Sequence, residues 1–118
     1  MAEIGNVTFA CEDPPRLAEF WATVLDGERV ELPDSFDGEL VRRPDGPNLL
    51  FNDLPKGTER DLPIHLDLVV EDRETAVERF RDLGGAVRET KSDEFAGQTH
   101  TWTVMEDPEG NGFCVSEG

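Results

Sequence analysis

Pro63-Ile-His-Leu-Asp-Leu-Val-Val70 is the stretch from which the fold of this chain can be inferred. Polar and apolar residues alternate along most of it, which is typical of a β-strand with one buried face. The alternation puts His65 and Asp67 on one face and the leucines on the other. Asp72 follows as a helix N-cap, and an amphipathic run over residues 73–83 predicts a helix. The pattern therefore predicts a strand–helix unit just after the midpoint of the chain.

The amino end repeats this pattern 59 residues earlier. Residues 6–11 alternate and predict a strand, and Asp13 follows as an N-cap with Pro14 in the first helical turn. The apolar stripe over residues 17–25 predicts a helix that ends at Gly27, with Phe20 and Trp21 in the core. Equivalent positions in the two copies are Asn6 and His65, Asp13 and Asp72, and Trp21 and Phe80.

About three strands follow each helix. We predict them at residues 28–32, 39–43 and 49–52 in the first copy, and at residues 86–90, 100–105 and 112–116 in the second. Residues 92–97 are predicted to be a loop, and 107–111 a turn. The expected organisation is one α+β domain, 1–118, with module one at about 4–53, a linker at about 54–62 and module two at about 63–117. Neither half could bury its own sheet, so the two halves are expected to share a core.

The composition excludes several classes of partner. The chain has 118 residues, with 11 basic against 27 acidic residues and a net charge of −16. Such a surface does not neutralise phosphates, which argues against nucleic acid and against anionic membranes. The acidic, lysine-poor character is also typical of proteins adapted to high salt. With no signal-like amino end and no apolar run near ~20 residues, we expect a soluble cytoplasmic protein whose Cys11 and Cys114 are free thiols.

Four segments resemble the vicinal oxygen chelate superfamily, which includes glyoxalase I, extradiol dioxygenases and bleomycin-resistance proteins, and most of all its small glyoxalase-like domains. They are Asp13-Pro-Pro-Arg-Leu-Ala-Glu-Phe-Trp21, Leu49-Leu-Phe-Asn52, His65-Leu-Asp-Leu68 and Trp102-Thr-Val-Met-Glu-Asp-Pro-Glu-Gly-Asn-Gly-Phe-Cys-Val115. The resemblance covers essentially the whole chain. It implies two tandem βαβββ modules that form a curled mixed sheet around a shared cleft.

The resemblance also implies a divalent metal in the metal-dependent members, held by ligands from the first and last strands of each module. Those positions fall here on Asn6 and Asn52 in the first module, and on His65 and Cys114 in the second. Strand alternation independently puts all four on the face away from the helices. Imidazole and thiolate are good zinc ligands, whereas two amides are neutral and weak. We therefore expect a pocket without a metal, and keep a divalent metal as the alternative.

Further polar and aromatic residues are candidates for the site. Asp67 shares a face with His65 and could act as a general base or orient the imidazole, or it could be a solvated surface carboxylate. His100 could be an acid or base at the cleft mouth or an exposed strand residue, and Trp102 could stack on a ligand or pack in the core. The residues predicted to line the cleft are Thr8, Leu50, His100 and Trp102.

Three functions remain open at this point. The first is a bleomycin-resistance-like protein that binds a small, partly aromatic molecule in the cleft without a metal. The second is a metal-dependent lyase or isomerase of the glyoxalase type. The third is a metal-independent enzyme in which His65 and Asp67 are acid and base. A homodimer is expected in each case, because small two-module members of the superfamily often pair.

Overall fold

The computed structural model describes residues 2–55, 57–58 and 62–117, and in that part the chain is α+β, with eight strands and two helices. In chain order the elements are β1 (Glu3–Cys11), α1 (Pro14–Leu25), β2 (Glu28–Val30), β3 (Gly38–Arg42), β4 (Asn48–Asp53), β5 (Ile64–Val69), α2 (Arg73–Asp82), β6 (Ala86–Phe95), β7 (Gln98–Glu106) and β8 (Gly112–Ser116). This order confirms two successive βαβββ modules. The predicted linker at 54–62 lies partly outside the described residues, at 56 and 59–61.

The first module comprises β1 to β4, and the second comprises β5 to β8. The chain separates into two compact units, Asn6–His65 and Leu66–Gly118 together with Met1–Gly5. The boundary falls inside β5, so His65 is continuous in one strand with the residues that follow it. In the described part of the chain, neither helix is long and apolar enough to cross a membrane.

In the first module the strands run in the order β2-β3-β4-β1, and β1 is parallel to β4. One face of this sheet packs against α1. Its buried core consists of Cys11, Ala18, Val41, Leu49 and Phe51, with Phe9 stacked on Phe51 at a centroid distance of 5.1 Å. Val7, Phe9 and Cys11 of β1 lie under the helix, which leaves Asn6 and Thr8 on the opposite face.

Helix α1 begins as predicted and ends differently. The Asp13 carboxylate accepts a hydrogen bond from the backbone N–H of Arg16, at 3.2 Å. The left-handed residue at the end of the helix is Asp26 (φ 53°), not Gly27, and aspartate tolerates this region better than most residues. A glycine is needed at 27 for space, because a Cβ there would lie 2.6 Å from Cγ1 of Val41.

Two residues of the predicted apolar stripe of α1 are on the surface. Phe20 is 57% exposed and Val24 is 55% exposed, so the prediction that Phe20 is a core residue is wrong. The helix packs on β2, β3 and β4 through a sector that is rotated away from Phe20 and Val24. This sector consists of Leu17, Ala18, Trp21, Ala22 and Leu25. Phe20 instead meets the edge of Trp21, at a centroid distance of 5.3 Å.

In the second module the strands run in the order β5-β8-β7-β6, and β5 is parallel to β8. Helix α2 covers one face, over a core of Val70, Ala76, Met105 and Val115. Asp72 is at the N-cap of α2 as predicted, but its side chain accepts a hydrogen bond from the Thr75 hydroxyl (2.9 Å) and not from a backbone N–H. Leu83, the last residue of the predicted amphipathic run, is 58% exposed.

The predicted loop at 92–97 is wrong, because β6 continues to Phe95 and forms a long hairpin with β7. The two turn residues, Ala96 and Gly97, both have positive φ (53° and 76°), which suits a tight two-residue hairpin. Hydroxyl groups join the strands in pairs: Thr90 with Thr103 at 3.0 Å and Ser92 with Thr101 at 2.9 Å. These cross-strand bonds favour a strand in a polar segment of low intrinsic strand propensity.

Candidate functional site

The strand pair β5–β8 brings an imidazole, a carboxylate and a thiol together. His65 and Asp67 are two residues apart and share a face of β5, and Asp67 lies directly opposite Cys114 in the parallel register. The ligand-type atoms of the three side chains all lie within 4.8 Å of one another. His65 and Asp67 are half-buried, and Cys114 is 8% exposed. We call His65, Asp67 and Cys114 the polar cluster.

The polar cluster lies on the sheet face opposite α2. Phe113 and Val115, which flank Cys114 in β8, pack with the helix core, so the Cys114 side chain points the other way. On the neighbouring strand β7, Val104 lies opposite Cys114 and Trp102 lies opposite Ser116. Because paired residues in adjacent strands share a face, Trp102 and Val104 border the cluster on its β7 side.

His100 is further out along the same strand. It pairs with Asp93 in the part of the β6–β7 hairpin that extends beyond β8, and it is exposed. Four residues separate it from Val104, which corresponds to about 13 Å along a strand. His100 therefore shares a face with the cluster without being next to it.

The turn before β8 places Cys114. The Asp107 carboxylate accepts hydrogen bonds from the backbone N–H groups of Glu109 and Asn111, both at 2.9 Å, and from the Asn111 amide at 2.9 Å. These bonds, the Asn111 side chain first among them, hold the pKa of Asp107 below its ordinary value. The turn ends at Asn111, so it sets where β8 begins and that Cys114 comes opposite Val104 of β7.

The two asparagines predicted in the first module do not lie side by side in its sheet. Asn6 is opposite Asn48, and Asn52 is opposite Ala10. The two sites are therefore four residues apart along the parallel pair β1–β4, or about 13 Å. Within this module the two amides do not converge on one point.

The register also changes which residues of the two modules are equivalent. Val7 pairs with Leu49, and Leu66, which is 59 residues after Val7, pairs with Phe113. Equivalent positions in the last strands are thus 64 residues apart. The predicted last-strand ligand positions, Asn52 and Cys114, are 62 residues apart and are therefore not equivalent. The first-module equivalent of Cys114 is therefore Leu50, which faces the buried Thr8 as Cys114 faces Asp67.

These positions do not fit the four-ligand metal site implied by the resemblance. In the first module the amides are apart in the sheet, and the position equivalent to Cys114 carries a leucine, which has no donor atom. The second module is different, because the polar cluster combines three side chains that are ordinary metal ligands. Among the described residues it is the one such group of His, Cys, Asp or Glu side chains.

Asp67 is the residue whose position sequence reasoning did not resolve. Alternation put it on the face of His65, but nothing in the sequence spacing put it opposite Cys114. The parallel register of β5 with β8 decides that contact, and register is not visible in the separate segments.

Grooves also occur elsewhere among the described residues. One of about 750 Å³ lies between α2 and strands β6 and β7, and is lined in part by Arg73, Arg81 and Thr103. Another of about 450 Å³ lies at the start of α1, where Phe9, Leu17, Phe20 and Ile64 are among the lining residues. Neither groove includes a residue of the polar cluster.

Comparison with protein families identifies the chain. The family model described as "Glyoxalase-like domain" matches residues 6–116. The chain belongs to the glyoxalase-like domain family. This places it in the glyoxalase/bleomycin resistance/dioxygenase, or vicinal oxygen chelate, superfamily that the sequence resembles. Curated protein sequences gave no match.

Solved structures share the fold of this glyoxalase-like domain. Methylmalonyl-CoA epimerase from Mycobacterium tuberculosis is 15% identical, with a TM-score of 0.67 over 97% of this chain and 86% of that one. A glyoxalase/bleomycin resistance protein/dioxygenase superfamily member from Vibrio splendidus 12B01 is 14% identical, with a TM-score of 0.66 over 98% and 97%. A hypothetical protein from Bacillus halodurans C-125 is 11% identical, with a TM-score of 0.68 over 99% and 94%. At such identities the likeness establishes the fold alone.

Proposed function

We propose that this glyoxalase-like domain binds a small organic molecule against the sheet face that carries the polar cluster, without the four-ligand metal centre of its superfamily. The observation that carries the proposal is the mutual approach of His65, Asp67 and Cys114 within 4.8 Å. Convergent polar groups beside an apolar surface are typical of small-molecule sites. Trp102 and Val104 supply that surface on the adjacent strand.

The charges favour a neutral or cationic, partly aromatic ligand. The chain carries a net charge of −16, so its field attracts cations and repels anions. Asp67 offers a carboxylate acceptor, and the Trp102 ring offers a face for stacking or for a cation–π contact. The bleomycin-resistance branch of the superfamily, which the sequence resembles, sequesters a ligand of this type.

A pair of histidine variants tests the binding proposal. Compounds that raise the melting temperature of the wild-type protein are titrated calorimetrically against His65→Ala and against His100→Ala. Loss of the cluster imidazole is expected to weaken binding about tenfold or more, equivalent to about 1.4 kcal/mol. Loss of the exposed histidine in the outer hairpin is expected to leave the affinity unchanged. A ligand that binds His65→Ala as tightly as wild type would overturn the proposed site.

A reaction of the lyase or isomerase class is the second candidate. The observation that favours it is the imidazole with a carboxylate and a thiol beside it, since these side chains can transfer protons or hold a metal. Such a proton transfer is measured by NMR in D₂O, as the replacement by deuterium of a hydrogen on the carbon next to a carbonyl group. The compounds tested are a panel of thioesters and α-hydroxyketones. Asp67→Asn is expected to slow exchange about 100-fold or more. Exchange no faster than in buffer for every compound would remove this candidate.

We also propose that the protein is a cytoplasmic homodimer. Cys11 and Cys114 are both buried and form no disulfide, which supports a reducing compartment. The common pairing of small two-module relatives supports the dimer, and light scattering at several protein concentrations tests it. A monomer mass at the highest concentration would contradict the dimer. Within the first module we propose Asn6, Asn52, Thr8 and Leu50, on the sheet face away from α1, as further positions that contact the ligand.

A further inference from the structure

We infer that the groove between α2 and the β6–β7 hairpin binds a free α-amino acid with an aliphatic side chain. The inference goes beyond the proposed function, because this groove lies on the α2 side of the second-module sheet and the polar cluster lies on the other side. The groove has a volume of about 750 Å³, and we call it the α2 groove. The lining residues that carry the argument are Arg73, Glu74, Val77, Val87, Thr90 and Thr103.

The helix forms a wall of the α2 groove that carries both signs of charge. Residues four apart lie in rows along a helix, and two such rows of α2 line the groove. The row at 73, 77 and 81 reads Arg, Val, Arg, and the row at 74, 78 and 82 reads Glu, Glu, Asp. Two guanidinium groups beside three carboxylates do not favour a simple anion or a simple cation. A ligand that carries both charges can pair with both rows.

The guanidinium group of Arg73 and the carboxylate of Glu74 form one end of the groove. The Arg73 side chain is 18% exposed, and its Nη1 donates a hydrogen bond to Oγ1 of Thr103 at 2.9 Å. Its Nη2 lies 3.9 Å from Oε1 of Glu74, which is at the outer limit of a direct ion pair. The carboxylate and the ammonium group of an α-amino acid are attached to one carbon atom, so they span a similarly short distance. The ligand carboxylate therefore pairs with Arg73 and the ammonium group with Glu74.

The Thr90 hydroxyl supplies a second donor for the ligand carboxylate. Thr103 is 1% exposed, and its Oγ1 lies 3.0 Å from Oγ1 of Thr90. A buried hydroxyl needs an acceptor for its proton, and Thr90 is the acceptor beside it. The proton of the Thr90 hydroxyl is then directed into the groove. An anionic group held by Arg73 accepts this proton in a charge-assisted hydrogen bond.

Two valines favour an aliphatic side chain on the ligand. Val77 follows Arg73 by one helical turn, and Val87 on β6 is 42% exposed. An aliphatic ligand side chain that covers them removes apolar surface from water on both molecules. Arg81 is about 12 Å from Arg73 along the helix axis, so a ligand as long as leucine occupies the Arg73 end of the groove.

The first experiment compares three ligands of similar size by isothermal titration calorimetry on the untagged full-length protein. L-leucine carries both charges, L-leucinamide lacks the carboxylate, and 4-methylpentanoate lacks the ammonium group. Leucine is expected to bind saturably, at about one molecule per chain. Each analogue is expected to bind about tenfold more weakly or worse, because each loses one charge-assisted contact.

Substitutions in α2 locate the binding site. Arg73→Gln and Glu74→Gln are each expected to weaken leucine binding about tenfold or more. The matched controls are Arg79→Gln, in the same helix, and Glu71→Gln, just before it, since neither residue lines the α2 groove. Both controls are expected to stay within about twofold of wild type. Circular dichroism shows that each variant is folded.

Methyl NMR on the wild-type protein gives a result that does not depend on the folding of any variant. Leucine is expected to shift the methyl signals of Val77 and Val87. It is expected to leave Val104 unchanged, because Val104 lies on the opposite face of the sheet.

Four results would overturn the inference. They are no saturable binding at leucine concentrations up to about 10 mM, an analogue that binds as tightly as leucine, a control variant that loses as much affinity as Glu74→Gln, and methyl shifts at Val104 without shifts at Val77 and Val87. Tight binding of 4-methylpentanoate would identify an anion site, and tight binding of leucinamide a cation site, in place of a site for both charges.

Discussion

Asp67 lies directly opposite Cys114 in the parallel pair β5–β8, whereas the corresponding pair in the first module is Thr8 and Leu50. Two modules with the same strand order therefore carry different chemistry at equivalent positions. The second module places a carboxylate beside a thiol, and the first places a buried hydroxyl beside an aliphatic side chain. Among the described residues, the group of imidazole, carboxylate and thiol therefore lies on strands β5 and β8.

The first-module core predicts unequal effects of two phenylalanine substitutions. Phe51 is fully buried and stacked on Phe9, so Phe51→Ala is expected to lower the free energy of unfolding by about 3–5 kcal/mol. Phe20 is 57% exposed, and Phe20→Ala is expected to cost less than about 1 kcal/mol. Urea denaturation measures both. Equal losses would contradict the burial of the two side chains described above.

The hairpin turn predicts a stabilising substitution. Ala96 has a φ of 53°, a conformation in which a Cβ costs about 1 kcal/mol or more. Ala96→Gly is therefore expected to raise the free energy of unfolding by up to about 1 kcal/mol, reduced by the greater freedom of glycine in the unfolded chain. Ala18→Gly, inside α1, is expected to destabilise by about 1 kcal/mol or more. If Ala96→Gly and Ala18→Gly change the melting temperature in the same direction, the backbone conformation of Ala96 is not strained.

The turn before β8 predicts a pKa change at one carboxyl group. Hydrogen bonds from Asn111 hold the pKa of Asp107 below its ordinary value, so Asn111→Ala is expected to raise it. Because the folded-state pKa is lowered, the stabilisation by Asp107 is complete above its unfolded-state pKa. It is lost as the pH falls through the folded-state pKa. NMR titration of the Asp107 carboxyl in both proteins measures the change, and an unaltered midpoint would mean that the Asn111 amide does not stabilise the anion.

The net charge predicts a dependence of stability on salt. A charge of −16 on 118 residues produces self-repulsion in the folded state, and about 1 M salt shortens the screening length to about 3 Å. The melting temperature is therefore expected to rise with KCl concentration, in line with the proposed adaptation to high salt. Sucrose of matched osmolality is the control for general exclusion effects. A flat KCl curve would remove the adaptation proposal.

Much of the fold could be predicted because its determinants are local. Alternation along residues 64–69 put His65 and Asp67 on one face, and Asp13 with Pro14 marked the start of α1. The predictions were wrong where contact with a neighbouring element determines the burial or the secondary structure of a residue. Phe20 belongs to the apolar stripe but lies outside the sector that the sheet covers. Residues 92–94 have polar side chains, and pairing with β7 makes this segment a strand.

The sequence by itself determined the strand–helix repeat and the two faces of each strand. It also determined that His65, Asp67 and Cys114, whose side chains can transfer protons or bind a metal, lie on strands. These follow from side-chain periodicity and capping, which act over a few residues. Only the tertiary structure decided that Asp67 meets Cys114, that Leu50 and not Asn52 is the equivalent of Cys114, and that Asn6 and Asn52 stand apart in their sheet. The reason is register: a shift of two residues keeps every side chain on its face, so periodicity is unchanged, while each side chain gains a different neighbour across the strand pair.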